Sequence, residues 1–129
     1  MSDLSAEAVD GMFYEVPDDL RRVRAFVTER ALALGLPETR IEVLTLAVSE
    51  LTTNTLQHTS GGGHIRVWAE AGRLVCDVVD QGPARPFGRA MPTAEAIRGR
   101  GLAIVERVCD AVYTAAVPGG TLVRICLNL

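Results

Sequence analysis

The spacing of hydrophobic residues along the first half of the chain predicts one strand followed by two helices. Residues 11–16 form a short aromatic and β-branched run that ends at Pro17, which predicts a strand at the edge of a sheet. Apolar residues then recur at helical spacing as far as Gly35, and again from Pro37 towards His58. The apolar stripe of the second predicted helix consists of Ile41, Leu44, Val48, Leu51 and Thr55.

The middle of the chain changes to strand-like patterning. Residues 64–70 and 73–80 predict two antiparallel strands joined by a short connection at Ala71-Gly72. In the second of these strands, Asp80 falls on the same face as the apolar residues.

The last third begins without periodicity and then resumes regular structure. Residues 82–98 gather prolines and glycines, the composition of a loop or lid. Residues 99–113 predict a third helix. Residues 112–117 and 121–127 predict a closing hairpin.

This order of elements favours one fold class. A strand, two helices, two strands, a loop, a helix and two strands fit an α/β (α+β) two-layer sandwich, with a mostly antiparallel sheet and helices on one face. A doubly wound parallel sheet does not fit. The length of 129 residues is typical of one domain, which we expect to span residues 1–129.

Composition narrows the function classes. The net charge of -3 argues against nucleic acid as the main partner. No apolar run approaches the roughly 20 residues that cross a bilayer, and residues 1–10 do not resemble a secretory signal, so we expect a cytoplasmic protein without membrane contact. All 13 basic residues are arginine, which excludes a lysine nucleophile. The three cysteines form no C-x-x-C pair, and with two histidines they give no zinc or thiol-enzyme spacing.

A first set of candidate site residues lies on the second predicted helix. Glu50, Asn54 and His58 repeat every four residues and share one stripe beside the apolar face. The stripe can be an ordinary solvated helix face, and we interpret His58 as structural. Alternatively, the Asn54 carbonyl can bind a magnesium ion that also contacts phosphates, and Glu50 can accept a proton as general base.

A second candidate is the sequence Asp80-Gln81-Gly82 at a strand end. An aspartate there is often only a turn former. An acid on an apolar face needs a partner, however, and an adenine amino group would serve, with Gly82 allowing close approach to the ring.

A third candidate precedes the third predicted helix, where two glycines alternate with two arginines. Backbone N–H groups at the start of a helix bind phosphate well when the residues there are glycines, and arginine guanidinium groups can bind the same phosphate oxygens. The simpler interpretation is a flexible segment before the helix. The residues concerned are Arg98, Gly99, Arg100, Gly101 and Leu102.

Together the three motifs resemble the Bergerat-fold ATP-binding domain of gyrase and histidine kinases. Residues 47–58 resemble its N-box, residues 80–82 its first glycine box and residues 99–105 its second. The short chain is most similar to the stand-alone anti-sigma factor serine kinases of the RsbW and SpoIIAB type.

That resemblance implies a homodimeric switch protein that uses ATP and Mg²⁺. It would phosphorylate a serine of an anti-sigma factor antagonist and sequester a sigma factor. The resemblance also implies residue roles. Asn54 would hold magnesium, Glu50 would act as base, Asp80 and Gly82 would hold adenine, and Gly99 and Gly101 would hold phosphates.

One departure from the family supports an alternative. The first glycine box of the family reads Asp-x-Gly-x-Gly, whereas Ala84 stands here at the second glycine. The alternative is a non-catalytic module that uses the fold only to bind a partner. In either case, Phe13 and Tyr14 on the first strand predict an aromatic edge at which two copies can meet.

Overall fold

The computed structural model describes residues 10–58, 62–80, 105 and 107–129. In these ranges two helices and five strands form a two-layer α/β sandwich, which confirms the predicted fold class. The elements are β1 (Asp10–Tyr14), α1 (Asp19–Leu34), α2 (Glu38–His58), β2 (Gly63–Glu70), β3 (Arg73–Asp80), β4 (Ala111–Val117) and β5 (Gly120–Asn128).

The five described strands form one sheet in the order β1-β2-β3-β5-β4, and every neighbouring pair is antiparallel. The predicted hairpin between β2 and β3 is confirmed. Ala71 and Gly72 form its turn with positive φ angles of 55° and 79°, as a tight two-residue hairpin requires.

The core lies between the helices and one face of the sheet. The predicted stripe of α2 is buried as a whole, with Leu44, Val48 and Leu51 fully inaccessible. Alternate residues of the central strands, such as Ile65 and Ile125, meet it from the sheet. This packing fixes the C-terminal half of α2 over the sheet, where the candidate site lies.

The opposite face of the sheet carries a charged cluster. Asp77 is fully buried, and its carboxylate accepts hydrogen bonds from Arg124 Nε at 2.7 Å and Arg66 Nη2 at 3.1 Å. Both guanidinium groups also lie over the Trp68 ring, 5.3 Å and 5.6 Å from its centroid. The buried charge of Asp77 is therefore paired on two sides.

The predicted first strand is at a sheet edge, as expected, but the prediction of two exposed aromatic residues is wrong. Phe13 is 64% exposed and stacks on the His64 ring at 4.8 Å. Tyr14 is only 1% exposed, because alternation along β1 turns it towards the helices.

The third predicted helix extends too far at its C-terminal end. Arg107 and Val108 are helical, but β4 already begins at Ala111. The reason is tertiary pairing, since Asp110 N–H bonds the Cys126 carbonyl at 3.0 Å and thereby brings the chain onto β5. Neither helix of the described part combines the length and the hydropathy that a membrane-crossing helix needs.

Candidate functional site

Four residues lie side by side in a row across the sheet, on the face that meets the helices. Tyr14 of β1 pairs with Gly63 of β2, and Gly63 pairs with Asp80 at the end of β3. Thr121 of β5 is the next neighbour, because its backbone N–H donates to Asp80 Oδ1 at 2.8 Å. We call Tyr14, Gly63, Asp80 and Thr121 the polar row.

Asp80 has one satisfied and one unsatisfied carboxylate oxygen. Its side chain lies on the apolar face as predicted, and the residue is 3% exposed. Oδ1 accepts the Thr121 N–H, whereas Oδ2 is buried without a hydrogen-bond partner among the described residues. Burial raises the pKa of Asp80, and the bond from Thr121 opposes this effect only in part.

Two glycines make room for the polar row. A Cβ at Gly120 would overlap the Asp80 carbonyl and lie 2.5 Å from Asp80 Oδ1. A Cβ at Gly63 would overlap the Tyr14 hydroxyl and lie 2.6 Å from the carbonyl oxygen of Val79. The row therefore depends on residues without side chains at both positions.

The helix α2 contributes Glu50 and Asn54, one turn apart. Asn54 is 5% exposed, and its Nδ2 is buried without a hydrogen-bond partner in the part of the chain that the structure describes. Glu50 is half-buried. The neighbouring buried threonines differ, since Thr52 donates to the Val48 carbonyl at 2.8 Å and Thr55 to the Leu51 carbonyl at 3.1 Å.

The C-terminal part of α2 and the polar row approach each other through Thr55 and Tyr14. Burial raises the pKa of Tyr14, the nearby Thr55 hydroxyl lowers it, and the charge of Asp80 raises it further. Although Thr55 is this near, none of the described residues meets the Tyr14 hydroxyl at hydrogen-bond geometry. The helix residue that follows Asn54 is thus next to the row that contains Asp80.

The remaining predicted site residues lie outside the described residues. They are Gly82, Arg98, Gly99, Arg100, Gly101 and Leu102. The same holds for Ala84 and for the predicted lid. The structure thus brings together the N-box and strand-end candidates only.

The chemistry of the described groups fits a purine nucleotide. A buried carboxylate oxygen without a partner is an acceptor for an amine N–H, as adenine offers at N6. The described residues include no group of three or more His, Cys, Asp or Glu side chains suited to a metal ion. The Asn54 carboxamide fits a magnesium ion that takes its other ligands from water and phosphates, as this ion usually does.

Comparison with known proteins supports the nucleotide interpretation of this geometry. Residues 13–127 match the histidine kinase-like ATPase domain. The chain belongs to this family. No curated protein sequence matches it.

A solved structure shows the same fold. The chain is similar to the structure of the RsbU and RsbW domains of Rv1364c from Mycobacterium tuberculosis, with a TM-score of 0.72 and 20% identity. The match covers 94% of this chain and 32% of that one, so this chain spans about a third of the protein that it resembles. At this identity the likeness concerns the fold.

The sequence patterns did not identify three contributors to the site. Thr121 carries a signal, because it falls on the same face of its strand as the apolar Val123, Ile125 and Leu127. Gly120 is marked only by its place in the glycine pair before that strand. Tyr14 carries none, since a tyrosine on an edge strand can face either side. Its position becomes evident only from the register that joins it to Asp80.

Proposed function

We propose that this chain binds ATP with Mg²⁺ and acts as a protein serine kinase of the anti-sigma factor type. Its substrate is a serine of an anti-sigma factor antagonist, and it also sequesters a sigma factor and so regulates transcription. In this proposal it works in the cytoplasm as a homodimer.

The observation that carries the proposal is the state of Asp80. This carboxylate is almost fully buried, yet one oxygen has no partner within the described part of the protein. A buried and unsatisfied acceptor destabilises the fold and calls for an explanation. An adenine amino group as its partner provides one, and membership of an ATPase domain family supports that choice.

The proposed roles of the helix residues follow from their positions. Asn54, whose carboxamide nitrogen has no partner among the described residues, contributes its carbonyl oxygen to magnesium. Glu50 lies one turn earlier and is half-buried, which leaves its carboxylate able to accept the proton of an attacking serine hydroxyl. Bound ATP and magnesium supply the phosphoryl group and neutralise its charge.

The proposed phosphate-binding residues rest on the sequence. Gly99 and Gly101 offer backbone amides to the phosphates, and Arg98 and Arg100 offer guanidinium groups, with Leu102 continuing the same segment. Gly82 lies against the adenine ring in this proposal.

A second candidate function is a non-catalytic partner-binding module. The sequence observation that favours it is Ala84, which replaces the second glycine of the first glycine box. In such a module, loss of Glu50 would leave partner binding and biological output unchanged.

Phosphoryl transfer from labelled ATP tests the proposal. The purified protein is incubated with γ-labelled ATP, Mg²⁺ and a lysate of its native host, and labelled proteins are analysed for phosphoserine. We expect one labelled protein with wild type and with Glu42→Ala, an exposed glutamate two turns earlier on α2. Glu50→Ala should lose the label while still binding ATP.

One outcome would count against the kinase and another against the role of Glu50. If wild type binds ATP but labels no protein, the partner-binding module becomes the better account. If Glu50→Ala labels as well as wild type, Glu50 is not the base.

A further inference from the structure

The polar row contains a second buried polar group beside Asp80. Tyr14 and Asp80 are separated only by Gly63 in the sheet register, and Gly63 has no side chain to keep them apart. A Cβ at Gly63 would overlap the Tyr14 hydroxyl, so the ring reaches over this glycine towards β3. The hydroxyl therefore points along the row in the direction of Asp80.

The two groups are complementary in hydrogen bonding. Asp80 Oδ2 is an acceptor, and the Tyr14 hydroxyl has a proton to donate. Neither atom has a hydrogen-bond partner within residues 10–58, 62–80, 105 and 107–129, although both are buried. The Thr55 hydroxyl is close to Tyr14 and donates its own proton to the Leu51 carbonyl at 3.1 Å, but it does not meet the Tyr14 hydroxyl at hydrogen-bond geometry. The site thus presents an acceptor and a donor that are adjacent.

Such a pair matches one edge of adenine. The base carries an amino donor at N6 and an acceptor at the neighbouring N1, whereas guanine carries a carbonyl acceptor at position 6 and a donor at N1. With Asp80 Oδ2 opposite N6, a donor is required opposite N1, directly or through one water. Tyr14 and Thr121 are the described residues on the row that have a hydroxyl donor, and of these two groups only the Tyr14 hydroxyl is buried without a partner among the described residues.

We propose that Tyr14 is a specificity-determining residue, whose hydroxyl supplies the hydrogen-bond donor for N1 of the bound adenine ring. This inference rests on the proposed nucleotide site. In this inference, a tyrosine on the edge strand distinguishes bases that have a hydrogen-bond acceptor at position 1 from bases that lack one.

The test compares ATP with 1-deaza-ATP, in which N1 is replaced by a C–H group, by calorimetry in the presence of Mg²⁺. Wild type should prefer ATP. In Tyr14→Phe this preference should shrink by roughly three- to tenfold, the value of one neutral hydrogen bond, because only the ligand with N1 loses a contact. Tyr113→Phe is the matched control, since Tyr113 is 54% exposed on β4, and it should retain the wild-type preference.

A ligand-free measurement separates this role from a structural one. Where a tyrosine hydroxyl is hydrogen-bonded within a protein, replacing the tyrosine by phenylalanine removes that bond and lowers the melting temperature of the protein. Because the Tyr14 hydroxyl has no such partner, Tyr14→Phe should melt at the wild-type temperature or above it.

The outcomes distinguish the inference from the function on which it rests. An unchanged ATP preference in Tyr14→Phe, or an equal loss for both nucleotides, overturns the role of Tyr14 and leaves the ATP site standing. Absence of ATP binding by wild type overturns the proposed function and this inference together. A fall in melting temperature without a change in preference assigns Tyr14 to the core.

Discussion

Replacing Asp80 by asparagine should stabilise the protein and weaken ATP binding at the same time. The raised pKa of Asp80 means that the ionised carboxylate is less favourable in the folded chain than in the unfolded chain. The direction of this shift already takes the hydrogen bond from Thr121 into account. Removing the charge therefore stabilises the fold. For a buried group with one unsatisfied oxygen we expect about 1 kcal/mol, or roughly 3–5 °C in melting temperature for a chain of this length.

The loss of ligand affinity follows from counting acceptors. The carboxylate has two oxygens, one for the Thr121 N–H and one for the ligand amine, whereas asparagine has only one. One bond to a charged acceptor is lost in either orientation of the amide. Such a bond is worth about 1.5–3 kcal/mol, so ATP should bind roughly 10- to 100-fold more weakly.

The stabilisation should depend on pH with a fixed sign. A carboxyl group whose pKa is raised in the folded state destabilises the fold least when it is protonated. The advantage of Asp80→Asn is thus fully present above the raised pKa of the folded state, shrinks as the pH falls through that pKa, and is absent below the ordinary value of 3.8. Differential scanning calorimetry of both proteins between pH 3 and pH 8 measures this difference.

Asp77→Asn is the matched control, because Asp77 is on the same strand and equally buried but is paired with Arg66 and Arg124. Weakening a paired buried charge should destabilise the protein by at least about 1 kcal/mol and leave ATP affinity unchanged. If Asp80→Asn instead melts lower than wild type at pH 7 and binds ATP equally well, the reasoning about Asp80 is refuted.

Three further predictions concern packing and reactivity. Gly120→Ala should destabilise the fold by about 1–3 kcal/mol and weaken ATP binding, because the added Cβ overlaps Asp80. Gly72→Ala strains only a turn and should leave ATP binding intact. Denaturant titration measures the stability of both variants, and calorimetry measures their ATP binding. Leu51→Ala should lower the unfolding free energy by about 2–5 kcal/mol in the same titration, and a loss below 1 kcal/mol would contradict its core position. Burial raises the pKa of Cys109 to about 11, so iodoacetamide should modify this thiol roughly 100-fold more slowly at pH 8 than a free cysteine, and fast labelling in a mass-spectrometric time course would contradict this.

Local patterns were sufficient to predict the described layers of the fold. The apolar stripe of α2 and the alternation in β2 are strong periodic signals, and both have the predicted burial. In β3 the predicted apolar face of Leu74, Cys76 and Val78 is buried, but Val75 and Asp77 on the opposite face are buried as well. The turn at Ala71-Gly72 was evident because it joins two alternating runs through a glycine.

Boundaries set by distant contacts were not predictable in the same way. Residues 111–113 continue a helical pattern in the sequence, yet they form the start of β4 because β5 offers backbone partners. Tyr14 was assigned to an exposed edge since its strand alone does not indicate which face meets the helices.

In the candidate site, too, some residues were predictable from local sequence patterns and others only from contacts between distant parts of the chain. Glu50 and Asn54 became candidates because they share a polar stripe beside the apolar face of α2, and Asp80 because it is an acid on an apolar strand face. Thr121 and Tyr14 joined the site only through strand register, which no short motif encodes.

Calorimetric titration of the wild-type protein with ATP and Mg²⁺ tests the central claim most directly. The account predicts saturable binding that requires magnesium, that weakens in Asn54→Ala and that is unchanged in Thr53→Ala, an exposed neighbour on the same helix. Absence of binding at millimolar ATP would contradict the nucleotide site and leave the fold as a partner-binding scaffold.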